Sequence, residues 1–279
     1  MKTFICVLFV AAVTASSLLG ITNDHRQSKI VQVDTSTGEF SLKCPWSFGI
    51  HSRGLVVDQK SDRMLAASIF DRTTMVWTYK LGTCDVIETF YQIPVGNPLG
   101  FRWSDKDNGF YLAALSSNHT LAVYFSPYGG GIKEIARIYD IVGCGSGLDG
   151  TALSDDYFVV PAITANEGKR TFIIDLRKKT VLGSLEKRFK DLSFSKDGTK
   201  LFHAHSRNLY TVAPDGKEHM YCEGVFEKIP TRGGFSLTEN TAYIVTSDYK
   251  GTHLYSVDLK TCESKHVELE QGIEYVTPE

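Results

Sequence analysis

The sequence predicts an all-β chain folded as a six-bladed β-propeller, closed by pairing its C-terminal strand with its N-terminal ones. Three observations lead there: an internal period, strand-type alternation broken by Gly- and Asp-rich turns within each period, and an incomplete unit at each end that complements the other.

The period rests on one recurring element, an apolar alternation ending in a small polar residue, then a turn and a second apolar run. Its copies are Leu55-Val56-Val57-Asp58, Phe101-Arg102-Trp103-Ser104, Thr151-Ala152-Leu153-Ser154, Leu192-Ser193-Phe194-Ser195 and Phe235-Ser236-Leu237-Thr238, spaced 46, 50, 41 and 43 residues apart. Spacings of roughly 40–50 residues with strand patterning mark propeller blades.

Within a copy, the turns fall where four strands need them. Asp191 to Ser195 reads as strand a, and Lys196-Asp197-Gly198 carries the favoured Asp-Gly turn. Strand b is then Lys200 to His205 and strand c is Asn208 to Ala213. Pro214-Asp215-Gly216 turns again, and Glu218 to Phe226 is strand d. The same grammar reads Lys133 to Ile141 as a strand d, although its composition also permits a short helix. Ser126-Pro127-Tyr128-Gly129-Gly130-Gly131 reads as an extended c-to-d hairpin at the outer rim.

The ends supply the sixth blade. Leu18–Thr22, Lys29–Val33 and Glu39–Lys43 resemble strands b, c and d with no strand a before them. Gly272 to Thr277 resembles an isolated strand a, and Thr277 sits 39 residues beyond Thr238. Joining the two removes sheet edges that would otherwise template aggregation. Five blades with two loose tails is the competing count.

Lys2 precedes an apolar run from Phe4 to Val13 and the small residues Thr14-Ala15-Ser16-Ser17, the pattern of a signal peptide cleaved after Ala15. That run is too short for a transmembrane helix, which needs about 20 apolar residues. Residues 1–15 are therefore read as a signal, residues 16–279 as one propeller domain, and the destination as extracellular. With Lys2 gone, 29 basic residues face 32 acidic ones, a formal −3. Mild acidity argues against nucleic acid or anionic membrane as partner.

Cys44, Cys84, Cys144, Cys222 and Cys262 then remain, an odd number in an oxidising compartment. At most two disulfides are expected, with connectivity left open and Cys144 as candidate free thiol. Asn118-His119-Thr120 is an N-glycosylation acceptor, which places Asn118 at the surface.

In propellers, the d-to-a and b-to-c connections line one mouth of the central channel. The positions opening each strand a are Arg53, Leu99, Asp149, Lys190 with Asp191, Arg232 and Glu274. They read as a mixed-charge ring that either binds a polar ligand or neutralises itself around channel water. Asp149, Asp191 and Glu274 come from three blades and are the candidate ligands for a divalent cation such as calcium, which takes several converging oxygens.

Weaker candidates have plain readings beside them. The glycine-rich run Gly143 to Gly150 leads into a strand rather than a helix, so it reads as a permissive connection and not a phosphate cradle. His203 and His205 share one face of strand b, yet no third zinc ligand stands at a recognisable spacing. His51 enters a first strand near the axis and is the best-placed general base by position. Trp46, Trp77 and Trp103 read as packing between blades.

The unit Phe194-Ser195-Lys196-Asp197-Gly198-Thr199-Lys200-Leu201-Phe202 resembles the generic blade of six-bladed propellers. These include the regucalcin and gluconolactonase-like proteins and, among secreted ones, the yellow and royal-jelly group. The resemblance covers nearly the whole mature chain. The lactonase-like families hold a divalent metal at the channel with acidic and Asn ligands. Asp149, Asp191 and Glu274 match the acidic part of that set and no channel Asn does. The favoured function is a secreted, non-catalytic binding propeller for a small molecule, glycan or protein, with no bound cofactor. The alternative is a metal-dependent hydrolase or lactonase with its metal on the axis.

Overall fold

The computed structural model describes residues 17–278 apart from 25–26, 50–51, 71–72, 94–96, 117, 144–150, 188, 190–191, 228–233, 249–250 and 271–272. These residues form six antiparallel sheets. The first holds β1 (Ser17–Asp24), β2 (Gln27–Asp34) and β3 (Phe40–Gly49). Blade 2 is β4 (Ser52–Asp58), β5 (Arg63–Phe70), β6 (Thr73–Lys80) and β7 (Val86–Ile93). Blade 3 is β8 (Asn97–Ser104), β9 (Gly109–Leu115), β10 (Leu121–Pro127) and β11 (Lys133–Ile138).

Blade 4 contains β12 (Ile141–Gly143), β13 (Ala152–Leu153), β14 (Tyr157–Thr164), β15 (Gly168–Asp175) and β16 (Thr180–Leu185). Blade 5 is β17 (Leu192–Phe194), β18 (Leu201–His205), β19 (Asn208–Val212) and β20 (Glu218–Cys222). Blade 6 is β21 (Phe235–Leu237), β22 (Thr241–Asp248), β23 (Gly251–Asp258) and β24 (Ser264–Leu269). The last strand, β25 (Ile273–Pro278), returns to blade 1 and pairs antiparallel with β1, with Leu19 opposite Thr277 and Ile21 opposite Tyr275.

Each innermost strand lies beside those of both neighbouring blades, in the cyclic order β25, β4, β8, β13, β17, β21 and back to β25. That closed cycle decides for six blades and against five with loose tails. Lys133–Ile138 is the strand d that the repeat requires, and among the described residues the only helical element is a 3-10 turn at Gln59–Ser61. No helix among the described residues is long and apolar enough to cross a membrane.

Blade 4 departs from the simple four-strand plan. β12 pairs with the far end of β14 and β13 with its near end, so the innermost strand is split around residues 144–150. The 50-residue spacing before Thr151, the longest in the series, has this physical origin.

Both faces of each blade are covered by its neighbours, so the core is a series of apolar seams rather than one central mass. Between blades 2 and 3 lie Val56, Leu65, Val76, Phe101, Phe110 and Leu112, and between blades 6 and 1 lie Leu18, Val33, Tyr243, Val245, Leu254 and Ile273. Strands b and c read as nearly unbroken apolar runs for this reason. β9, for example, is buried at every position from Gly109 to Ala114. Outer strands such as β16 and β24 bury only one position each, which leaves the others free to be polar or charged.

The c-to-d turns repeat a second device. Gly38, Cys84, Gly216 and Cys262 all sit at positive φ, the left-handed bend these hairpins need. From there each reaches the outer strand of the preceding blade. Cys84 is bonded to Cys44 on β3, and Cys262 to Cys222 on β20, each across 40 residues, which is one blade. Gly38 takes the same place at the seam of blades 6 and 1. A Cβ there would come 2.4 Å from the Glu268 carbonyl oxygen, so glycine is the residue that fits. Two bridges agree with the expected ceiling, and Cys144 lies outside the described residues.

Candidate functional site

Strand a of each blade ends in an apolar residue followed by a small polar one, and the turn beyond it leads into strand b. Most of these polar residues cap their own turn. The Ser104 hydroxyl accepts from the Asp107 amide at 3.1 Å, Ser154 from Tyr157 at 3.1 Å, Ser195 from Lys200 at 3.0 Å and Thr238 from Thr241 at 3.1 Å. The same position in blade 2 is Asp58, only 2% exposed, and it serves a different purpose.

Asp58 accepts from Arg63 Nε at 2.6 Å, and Arg63 also donates to Asn108 Oδ1 at 2.9 Å in the next blade. The guanidinium lies 3.3 Å from the ring centre of Tyr128 and 4.9 Å from that of Trp103. This arrangement ties the Ser126–Gly131 hairpin, which the sequence places at the rim, to the wall of the mouth. It also fixes the Trp103 ring, whose Nε1 donates to Asp105 at 3.0 Å.

Trp103, Leu153 and Phe194, the apolar ends of three successive innermost strands, line a recess of about 390 Å³ at the a-to-b mouth. The three serines beside them are engaged in their own turns. The rim carries Asp105, Asp155 and Asp197 against one basic residue, Lys196. Asp197 accepts from Ser195 Oγ at 2.5 Å, from the Thr199 amide at 3.1 Å and from Thr199 Oγ1 at 2.8 Å. Those bonds, the Ser195 hydroxyl foremost, draw its carboxyl down from the usual 3.8 to about 2, so it is charged at any physiological pH.

Neighbouring turns are linked around the rim. Lys60 stands 3.7 Å from Asp105, Lys106 stands 3.9 Å from Asp155, and Lys196 stands 4.0 Å from Glu239. All are exposed pairs, each contributing about 1 kcal/mol or less, so they set charge placement more than stability.

The sequence reading placed its axial residues at the opposite mouth. Asp149, Lys190, Asp191 and Arg232 lie outside the described residues, as does His51. Arg53 lies on β4 and Glu274 on β25, both innermost strands, with their side chains outside the described set. The mixed-charge ring, and the cation held by Asp149, Asp191 and Glu274, therefore stand as expectations. Leu99 is buried in the core. Among the described residues no group of three or more His, Cys, Asp or Glu converges as a metal site. His203 is buried, with its ring 5.1 Å from Phe189 and 5.7 Å from His205, and its Nε2 is 3.5 Å from Glu218. Asn118 is exposed in the b-to-c connection between β9 and β10, at the mouth away from the recess.

The sequence reading missed the recess because it looked to the other mouth. The signal was present in the aligned copies, where Trp103-Ser104-Asp105, Leu153-Ser154-Asp155 and Phe194-Ser195-Lys196-Asp197 stack an apolar residue, a hydroxyl and a carboxylate.

No family model and no curated protein matches this sequence. Solved structures do match its fold. TolB from Acinetobacter baumannii aligns with a TM-score of 0.65 at 15% identity, over 95% of this chain and 67% of that one. A chain of a nidogen/laminin complex aligns with a TM-score of 0.64 at 11% identity, over 94% and 97%. Apo AztD from Citrobacter koseri aligns at 0.52 and 9% identity, over 94% and 97%. At such identities the likeness establishes the propeller fold and nothing finer.

Proposed function

We propose that this propeller is a secreted, non-catalytic binding protein whose ligand seat is the recess at the a-to-b mouth. The observation that carries the reading is the exposure of Trp103, Leu153 and Phe194 to a common recess, ringed by groups whose own hydrogen bonds are already made. Three apolar side chains in a concave, mainly polar opening with a few placed charges offer a ligand both contact area and orientation. Among the described residues the lining contains neither histidine nor cysteine, and its serine hydroxyls are committed to turn geometry, which favours binding over nucleophilic chemistry.

Secretion is supported by the N-terminal pattern and by two disulfides, which persist in oxidising compartments. Asn118, exposed at the opposite mouth, is the proposed glycan acceptor, and a glycan there leaves the recess open. A protein partner is in keeping with the architecture, since one fold neighbour was solved as part of a nidogen/laminin complex.

The test is a fragment screen followed through the indole N–H signals of Trp46, Trp77 and Trp103, with Trp103→Phe to assign the third. Fragments are expected to shift the Trp103 signal, and Ser154→Trp, which fills the recess, is expected to abolish the response. Binding that moved the amides of Asn118–Thr120 instead, with Trp103 unmoved, would transfer the seat to the other mouth.

A further inference from the structure

The outermost strand of a sheet presents backbone donors and acceptors to whatever strand arrives, and charge is the usual means of turning one away. Five of the six outermost strands follow that rule, with Lys43 in β3, Glu88 in β7, Glu134 in β11, Glu218 in β20 and Glu268 in β24. The sixth, β16 of blade 4, reads Thr180-Val181-Leu182-Gly183-Ser184-Leu185 and carries no charge. Leu182, Gly183 and Ser184 are exposed, Leu182 by 56%. β11 of blade 3 lies beside β16 but pairs in its own sheet, and among the described residues no strand covers the outward edge of β16.

The register on β15 narrows how this edge is paired. Val181 stands opposite Ile174 and Gly183 opposite Ile173, so Leu182 is a bulge and Val181 and Gly183 are successive ladder positions. Two identical edges joined antiparallel by a two-fold axis set one ladder residue against its own copy, because residues opposite each other share a face. With Gly183 on the axis, Ser184 meets Val181, Leu185 meets Thr180 and, just past the strand ends, Glu186 meets Lys179. A Cβ on Gly183 would have nothing within 4 Å, so the backbone there is open to close approach. Moving the axis to Val181 sets Lys179 against Ser184, and moving it to Ser184 sets Glu186 against Val181. The Gly183 register is the one that brings Lys179 and Glu186 together, once at each end.

Both charges are available. The Glu186 side chain is 92% exposed, with Arg170 3.7 Å away on its own blade, and Lys179 has no ion pair among the described residues. One position further out Lys178 would meet Lys187, but Asp175 lies 3.8 Å from the first and Glu218 pairs with the second.

We propose that β16 is the contact strand of a symmetric dimer, in which a second copy of this chain adds its own β16 antiparallel and joins the two fourth blades into one sheet. A second copy fits this edge because symmetry supplies the carboxylate for Lys179 and the cation for Glu186. Backbone hydrogen bonds hold the junction, and the two ion pairs fix its register. A single six-residue strand buries much less than the roughly 1,600 Å² of a standard interface, which puts the dimer in the weak class. The recess is lined by innermost strands and their turns, at the other edge of the blades, so the proposal does not rest on what the recess holds.

Sedimentation velocity of the full chain between about 1 and about 300 µM tests this, with dimer expected at the upper end and monomer at the lower. Lys179→Glu and Glu186→Lys are each expected to weaken the dimer about ten-fold, since each turns two attractive pairs into two repulsive ones. An equimolar mixture of the two variants is expected to recover most of the lost association, because each then presents the other with opposite charges at both ends. Leu182→Lys, which charges the exposed edge, is expected to abolish the dimer with the thermal midpoint unchanged.

A chain that stays monomeric at about 300 µM overturns the proposal and leaves the edge to a strand of another protein or to none. A dimer that none of the three variants weakens also overturns it, placing the contact on another surface. So does a mixture no more associated than its components, which would refute the pairing of Lys179 with Glu186.

Discussion

Replacing Cys44 and Cys84 together by alanine is expected to lower the free energy of unfolding by about 4 kcal/mol, and replacing Cys222 and Cys262 by a similar amount. Each bridge closes a 40-residue loop, and its effect is mainly on the unfolded chain, which loses freedom it would otherwise regain. The bridges join blade 1 to blade 2 and blade 5 to blade 6, so one of them anchors the blade in which the two chain ends close the ring. Loss of both is comparable with the whole stability of an ordinary domain, about 5–15 kcal/mol. Urea denaturation followed by tryptophan fluorescence measures this directly. A loss below about 1 kcal/mol for either pair would show that the bridges decorate a ring already held by its seams.

Arg63→Ala is expected to cost about 3–5 kcal/mol, because it leaves Asp58 charged and buried without its partner. The loss extends beyond the ion pair. Arg63 also holds Asn108 of the next blade and lies against Tyr128 and Trp103, so the variant is expected to loosen one wall of the recess as well. The control is the double replacement Asp58→Asn with Arg63→Met, which removes both charges and keeps the volume. It is expected to be more stable than Arg63→Ala alone, since a buried pair replaced by neutral groups costs less than a pair broken on one side. Thermal unfolding of the single and double variants gives the comparison. A double variant less stable than the single would show that the stacking on Tyr128 and Trp103, and not the uncompensated carboxylate, dominates.

The architecture was readable because its local signals agree with one another. Asp197-Gly198 and Asp215-Gly216 place turns, the polar residue at the end of strand a marks the register, and Leu18–Thr22 has no strand a until Gly272–Thr277 supplies it. The pairing of cysteines was also present in the numbers, since both bridges span 40 residues, one blade. It was not drawn because a 40-residue spacing means a bridge only once the left-handed position of Cys84 and Cys262 is seen to face the preceding outer strand.

The site was less readable for a physical reason. A carboxylate in a turn, such as Asp105 or Asp197, is what any hairpin uses to satisfy its own amides, so its type carries no functional information. What sets these turns apart is the recess their strand ends Trp103, Leu153 and Phe194 share, a relation between residues about 40–50 positions apart. The split of strand a in blade 4 likewise depends on β12 and β13 sharing β14, which no periodicity encodes. Asp58 is the converse case. Its place in the repeat is that of a turn-capping serine, and only burial beside Arg63 reveals its role between blades.

The recess, the rim pairs and the seams all presuppose a ring shut by β25 lying against β1. The most direct measurement is thermal unfolding of a chain that stops at Glu270, with and without a synthetic peptide of residues 271–279. The ring requires a midpoint lower by about 10 °C or more, on the scale of several kcal/mol for a chain of this size, and recovery when the peptide is added. An unchanged midpoint after truncation would contradict it.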